Sequence, residues 1–145
     1  MTAPDPEATQ ATRAMKECLT FAGLESTDVD YVNAHGTSTP LNDTIETKVI
    51  KNALGEHAYN VKISSTKSML GHALGGSGGI ELSVAALTIR DQFIHPTMGL
   101  KKADPECDLD YVPGQGESHQ VNIAISNSLG FGGHNSCIAI KKFSE

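Results

Sequence analysis

The chain contains no tryptophan, and aromatic residues make up only 5% of its 145 positions. No apolar run approaches the about 20 residues that a helix needs to cross a bilayer, and the N-terminus has no signal-peptide pattern. Basic residues are also few, 11 against 17 acidic ones, and the net charge of -6 argues against nucleic acid or an anionic membrane as the main partner. We therefore expect the chain in the cytoplasm, or in an organelle after removal of a transit segment.

Cysteine is scarce as well. Cys18, Cys107 and Cys137 form an odd set without Cys-x-x-Cys spacing, which supports neither a disulfide framework nor a zinc ribbon. The acidic neighbours of Cys107 disfavour a thiolate there. No two of the six histidines have the i, i+4 spacing of a helical zinc site, so a transition-metal centre is not expected.

The apolar pattern predicts one globular domain, since hydrophobic residues make up 39% of the chain. An amphipathic helix ends before residue 24, and strands are predicted at 29–33, 61–64 and 121–125 and again around residue 139. Helical patterns follow the first and second strands, and residues 91–120 are expected to be rich in loops. The resulting β-α-β-α-β-β order predicts an α/β fold with a mixed sheet.

Two segments each place a histidine directly after a predicted strand. His35 lies in Asn-Ala-His-Gly-Thr-Ser-Thr-Pro at 33–40, and His72 ends Ser-Ser-Thr-Lys-Ser-Met-Leu-Gly-His at 64–72. A lone histidine at such a place is usually a core or cap residue. Because open α/β folds place their chemistry at the carboxyl edge of the sheet, however, two of them on successive strands predict one shared pocket.

Glycine is concentrated in two segments. Ser-Asn-Ser-Leu-Gly-Phe-Gly-Gly-His-Asn at 126–135 predicts a turn whose backbone N–H groups can approach a ligand or an oxyanion. The run at 75–79 lacks the Gly-Lys-Ser/Thr ending of a phosphate-binding P-loop, and it favours close packing of a buried helix instead. Glu81 in that helix is expected to need a partner, because an unpaired buried carboxylate is costly.

In this order and spacing, the three motifs resemble those of the elongating β-ketoacyl-[acyl-carrier-protein] synthases of the thiolase-like superfamily. The Lys-Ser-Met-x-Gly-His form is more similar to the discrete type II fatty-acid enzymes, synthase II in particular, than to modular polyketide ketosynthases. The resemblance implies that residues 1–145 are the C-terminal, thiolase-type half of such an enzyme. The start, Met-Thr-Ala-Pro-Asp-Pro, resembles an internal segment of the family, so we expect Met1 to be a cut through a longer chain.

The resemblance also implies a reaction, decarboxylative Claisen condensation in fatty-acid elongation. His35 and His72 would stabilise the malonyl enolate, Lys67 would hold the His72 region and Glu81, and Phe131 would gate the acyl chain. The residues implied in substrate binding are Thr37, Thr39, Gly130 and Gly132. Those implied around a bound monovalent cation are Asn33, Ala34, Glu81, Ser126 and Asn127. No other cofactor is expected.

The family's nucleophilic cysteine lies in an Ala-Cys-(Ala/Ser)-(Thr/Ser)-Gly-like turn, which this sequence does not contain. We therefore expect that turn in an absent N-terminal half, and no condensation by the isolated chain. The implied partners are acyl-carrier protein, bearing acyl and malonyl groups on phosphopantetheine, and a second copy, since full-length relatives are dimers. Two alternatives stay open: a non-catalytic subunit of the chain-length-factor kind, and a stand-alone malonyl decarboxylase.

Overall fold

The computed structural model describes residues 5–144, so the expectation about Met1 lies outside the described residues. Within them, a mixed sheet has the order β2-β1-β5-β6. Its strands are β1 (Tyr31–Asn33), β2 (Lys62–Ser64), β5 (Ile123–Leu129) and β6 (Asn135–Lys141). β1 runs parallel to both β2 and β5, and β6 pairs antiparallel with β5. The predicted α/β class and the mixed sheet are confirmed.

Two helices, α1 (Thr9–Ala22) and α2 (Asn42–Leu54), cover one face of the sheet. The predicted apolar stripe of α1 is buried at Ala11, Met15 and Leu19, and Gly23 ends the helix with a φ of 64°. These side chains join Val32 of β1 in the larger hydrophobic cluster. Because side chains alternate along a strand, Tyr31 on the same strand faces the opposite side.

The opposite face is covered by α4 (Ser77–Asp91), which follows the single-turn helix α3 (Lys67–Leu70). α4 buries Glu81, Ala85 and Ile89 toward the sheet, whereas Ile80 and Leu87 are 40% and 44% exposed. The sequence predicted that this helix is buried on nearly all of its sides. That expectation is met only on the side that packs on the sheet, because the described residues contain no second layer above α4.

Residues 91–120 are rich in loops, as expected. They contain a short antiparallel pair, β3 (Phe93–Ile94) with β4 (Glu117–Ser118). Two-residue strands carry no detectable alternation, which is why the pattern of apolar residues did not reveal them. Across residues 5–144, no helix combines the length and apolar character needed to span a membrane.

The sheet topology positions the three motifs. Because β2, β1 and β5 are neighbouring parallel strands, their carboxyl ends lie at one edge of the sheet. Each motif continues the chain beyond one of these ends. The three segments singled out by their sequence therefore meet at a single edge.

Candidate active site

His35 lies two residues beyond the end of β1. Glu46 of α2 accepts hydrogen bonds from the backbone N–H groups of His35 and Gly36, both at 2.8 Å. Gly36 has a φ of 43°, and a Cβ there would lie 2.4 Å from the Cβ of Ser65, so the turn requires glycine. The backbone that carries the His35 ring is thus fixed by these hydrogen bonds.

His72 lies beyond β2 and α3, and its ring is held through one nitrogen. Nδ1 is 3.1 Å from the backbone N of Leu74 and 2.9 Å from Oγ of Ser77. Because the Leu74 N–H can only donate, Nδ1 is an unprotonated acceptor, and a neutral ring carries its proton on Nε2. His72 therefore has an N–H donor on the nitrogen that these contacts leave free.

The two histidine rings are adjacent. Their centroids are 5.6 Å apart, and the ring planes meet at 85° in an edge-to-face arrangement. Burial, together with the nearby Lys67 ammonium and His72, lowers the pKa of His35 to about 4, so this ring is neutral at neutral pH. The predicted proximity of the histidines is confirmed, whereas their catalytic roles stay predictions.

Lys67, at the start of α3, forms a buried ion pair with Glu81 of α4. The two side chains are only 5% and 2% exposed. The sequence predicted that Glu81 needs a partner, and Lys67 is that partner. With Thr66 and Ser77 the pair lines a cavity of about 40 Å³.

The glycine-rich turn after β5 forms a short 3-10 turn at Phe131–Gly133. Gly132 and Gly133 have φ angles of 79° and 82°, which side-chain-bearing residues rarely adopt. The backbone N–H of Gly130 donates to the carbonyl of His134 at 2.6 Å and closes the turn. The Phe131 ring is 75% exposed, so the described residues leave it room to move. Its role as a gate, and substrate binding at Gly130 and Gly132, stay predictions.

Thr37 and Thr39 lie on the loop between β1 and α2, and their hydroxyl oxygens are 3.3 Å apart. Oγ1 of Thr39 also accepts a hydrogen bond from the backbone N–H of Asn42 at 3.3 Å, at the start of α2. This hydrogen bond lies in the turn before the helix, whose own N-cap residue is Leu41. Contact of either hydroxyl with substrate stays a prediction.

Three members of the predicted cation group share one face of the sheet. Asn33 and Ser126 are paired in register on β1 and β5, on the face that α4 covers with Glu81. Oδ1 of Asn33 and Oε2 of Glu81 are buried, and neither has a hydrogen-bond partner among the described residues. Hard cations prefer such oxygen ligands.

The other two members of the group are placed differently. Asn127 follows Ser126 on β5 and points to the opposite face, where its Nδ2 donates to Glu46 at 3.0 Å. Ala34 has no side-chain ligand atom, and its N–H donates to the carbonyl of Ser64 at 3.0 Å. Across residues 5–144, no cluster of three histidine, cysteine or acidic side chains could hold a metal ion.

Comparison with known families decides the assignment. The family described as β-ketoacyl synthase, C-terminal domain, matches residues 1–101, which is well over half of the chain. The chain belongs to the β-ketoacyl synthase family. The first two motifs, at 33–40 and 64–72, lie within the matched residues.

Individual relatives of this β-ketoacyl synthase chain extend the match. A 3-oxoacyl-[acyl-carrier-protein] synthase 2 from Synechocystis sp. is 56% identical over 99% of the chain and 34% of the relative. One from Staphylococcus aureus (strain COL) is 52% identical with the same coverage, 99% and 34%. A solved type II polyketide ketosynthase in complex with its acyl-carrier protein has a TM-score of 0.96 and 39% identity, over 99% of this chain and 35% of that one. The chain thus spans about a third of the length of the curated relatives it matches.

The sequence interpretation missed Glu46 in this β-ketoacyl synthase chain. Besides the two backbone groups, its carboxylate accepts from Nδ2 of Asn42 at 3.3 Å and from Nδ2 of Asn127 at 3.0 Å. Burial raises the pKa of Glu46, and these N–H donors oppose that shift. A signal was available, because Glu46 precedes Val49 and Ile50 by three and four residues and so lies on the buried face of α2.

We expect Glu46→Gln to lower the free energy of unfolding by about 2–4 kcal/mol, because the amide NH2 would face N–H donors and leave them unpaired. Urea unfolding followed by circular dichroism measures the change. Glu56→Gln, at an exposed position, is the matched control and should stay within about 0.5 kcal/mol of wild type. Equal stability of the two variants would contradict the role assigned to Glu46.

We expect His35 to make the chain less stable in mild acid. Its pKa falls from 6.5 to about 4 on folding, so below about pH 6.5 the unfolded state binds a proton that the folded state does not. The free energy of unfolding should therefore fall more steeply from about pH 6.5 to about pH 4 in wild type than in His35→Gln. Burial also lowers the pKa of His95, but that contribution is common to both proteins. Parallel pH profiles would show that His35 is not the group responsible.

Proposed function

We propose that the chain is the C-terminal half of a 3-oxoacyl-[acyl-carrier-protein] synthase and supplies the enolate-stabilising groups for decarboxylative Claisen condensation in fatty-acid elongation. The observation that carries this proposal is the adjacency of His35 and His72, 5.6 Å apart, at the carboxyl edge of neighbouring parallel strands. Membership of the β-ketoacyl synthase family supports the same reaction.

The chemistry requires stabilisation of negative charge. The bond between the malonyl α-carbon and its carboxylate breaks, CO2 leaves, and the electron pair spreads onto the α-carbon and the thioester oxygen. One N–H donor aimed at such an oxygen is worth about 3 kcal/mol, or two to three decades in rate. His35 and His72 as neutral rings can each donate one N–H. The carbanion then attacks the acyl thioester carbonyl, and the sulfur leaves as a thiolate.

Lys67 has an electrostatic role in this proposal. Its ammonium is buried against Glu81. Burial of His35 first, and this nearby charge second, lower the pKa of His35 and keep that ring neutral. An imidazolium would add a full positive charge beside a buried lysine. The ion pair thus favours the protonation state that the reaction needs.

The acyl thioester would be formed on a cysteine that this chain does not place at the site. Cys18 lies in α1 and Cys137 in β6. Cys107 lies in the loop before β4, and burial raises the pKa of its thiol. None of these thiols lies just beyond the carboxyl end of β1, β2 or β5. We therefore propose that a cysteine-bearing N-terminal half supplies the nucleophile.

The partners follow from the same proposal. Acyl-carrier protein would present its acyl and malonyl groups on phosphopantetheine, with Thr37 and Thr39 near the arm and Phe131 over the acyl channel. The relatives from Synechocystis sp. and Staphylococcus aureus are named 3-oxoacyl-[acyl-carrier-protein] synthases, which supports this choice of carrier. Dimer formation and a location in the cytoplasm, or in an organelle, belong to the proposal.

Reconstitution tests the function. The chain alone, supplied with acyl- and malonyl-carrier protein, should form no 3-oxoacyl product by mass spectrometry. Co-produced with a cysteine-bearing N-terminal half of a β-ketoacyl synthase, it should form product, and His35→Ala or His72→Ala should each slow product formation by about 10²- to 10³-fold. His119→Ala, a histidine outside the site, should leave the rate unchanged.

Three results would revise the proposal. Product formed by the isolated chain would show that no second half is needed. An unchanged rate with His35→Ala would favour a non-catalytic subunit of the chain-length-factor kind. Release of CO2 from malonyl-carrier protein by the isolated chain, if His35→Ala abolishes it, would favour a stand-alone decarboxylase. This outcome is tested because both histidines lie in one chain.

A monovalent cation is the second part of the proposal. The residues fit such an ion, because Oδ1 of Asn33 and Oε2 of Glu81 are buried oxygens without hydrogen-bond partners among residues 5–144. Ser126 lies on the same face, and the backbone of Ala34 and Asn127 adjoins it. A bound ion would supply a fixed positive charge that satisfies these oxygens. The side chain of Asn127 lies on the opposite face of the sheet, where its Nδ2 donates to Glu46, and is therefore not part of this ligand set.

Potassium should therefore raise the Tm of the chain more than choline does at equal ionic strength, since a ligand that binds only the folded state stabilises it. Glu81→Gln should remove this potassium-specific shift, beyond any general loss of stability from the broken pair with Lys67. Glu106→Gln, at an exposed position, should retain the shift. Identical Tm values in the two salts for wild type would rule the cation site out.

A further inference from the structure

His95, directly after β3, has no part in the proposed reaction, yet it lies within a buried group of hydroxyls. Its Nε2 is 3.2 Å from Oγ1 of Thr66, and 3.4 Å from both the Tyr31 hydroxyl and Oγ of Ser64. Its Nδ1 is 3.0 Å from the carbonyl oxygen of Pro96. Each ring nitrogen of His95 thus has a partner.

The partner of Nδ1 determines the tautomer. The Pro96 carbonyl can only accept a hydrogen bond, so Nδ1 carries the proton. Burial lowers the pKa of His95, which keeps the ring neutral and leaves Nε2 as an acceptor. Tyr31 and Ser64 hydrogen-bond to each other at 2.9 Å. The shortest approach to Nε2 is that of Thr66, whose O–H we take as its donor.

The direction of the Thr66 hydroxyl in turn determines the orientation of Asn33. With its proton given to His95, Oγ1 of Thr66 can only accept from Asn33, and Nδ2 of Asn33 lies 2.7 Å away. The reversed amide would place Oδ1 against the lone pairs of that oxygen. Oδ1 therefore faces away from Thr66, in the buried position where it has no hydrogen-bond partner among the described residues.

We propose that His95 is a positioning residue that, through Thr66, fixes the amide of Asn33 so that its Oδ1 is presented as a ligand for a monovalent cation. The presence of the ion rests on the proposed function, whereas the hydrogen-bond relay does not. Thr66 also lines the small cavity together with Lys67 and Glu81, and Oε2 of Glu81 is the second unpartnered oxygen among the described residues. Outer-shell groups of this kind orient ligands in metal sites.

Two matched pairs of variants test the proposal in the full chain. His95→Gln keeps an acceptor near the position of Nε2, whereas His95→Leu removes it. Thr66→Ser keeps the hydroxyl, whereas Thr66→Val removes it. Comparing the members of each pair separates the loss of the relay from the general cost of changing a buried side chain.

Nitrogen NMR provides the readout that does not require the ion. We expect the His95 ring to be protonated on Nδ1 in wild type and in Thr66→Ser. The side-chain amide protons of Asn33 should exchange slowly in these two proteins and in His95→Gln. Exchange should be fast in His95→Leu and Thr66→Val. Potassium titration followed by Tm provides the second readout, and affinity should fall about 10- to 100-fold in those two variants only.

The two readouts separate the relay from the ion. A His95 ring protonated on Nε2, or slow Asn33 exchange that survives in His95→Leu, would overturn the proposal. Potassium affinity equal to wild type in His95→Leu would overturn it as well. If wild type shows the relay by NMR but no potassium-specific shift, the cation site is wrong and only the positioning of Asn33 by His95 is supported.

Discussion

The geometry of the site depends on one buried carboxylate. Glu46 of α2 accepts hydrogen bonds from backbone N–H groups of the loop after β1 and from the Asn127 side chain of β5. It thereby joins a helix to two neighbouring strands. A buried charge without partners is costly, which favours the arrangement in which every donor is in place. The backbone that carries the His35 ring is therefore held in place, whereas the buried Nδ1 of that ring has no hydrogen-bond partner among residues 5–144.

The two buried carboxylates lie on opposite faces of the sheet and are satisfied in different ways. Glu46 is held by neutral N–H donors, whereas Glu81 is held by the Lys67 ammonium. Only the second arrangement brings a positive charge near the histidines. Glu46 holds the backbone of His35 from one face of the sheet. On the other face, burial and the Lys67 charge favour the neutral form of the His35 ring.

Much of this arrangement could be predicted from the sequence, because parallel strands place their carboxyl ends at one edge and the motifs mark those ends. The need of Glu81 for a partner and the buried stripe of α1 were predicted from the residues, whereas the identity of that partner, Lys67, was implied by the resemblance. The face occupied by Asn127 could not be predicted, since it depends on the register of β5, where Ser126 and Asn127 alternate. The helical spacing of Glu46 indicated that it is buried, but its partners and those of His95 could not be predicted, because elements far apart in the chain bring them together.

The topology of β1 also affects the order of assembly. Its neighbour β5 lies far along the chain, as shown by the side chain of Asp30, which accepts hydrogen bonds from backbone N–H groups 92 and 93 residues later. Contacts of such long sequence separation form late, since a long loop must be closed first. During synthesis on the ribosome, the first histidine motif must wait beside an unpaired strand edge until most of the chain has emerged.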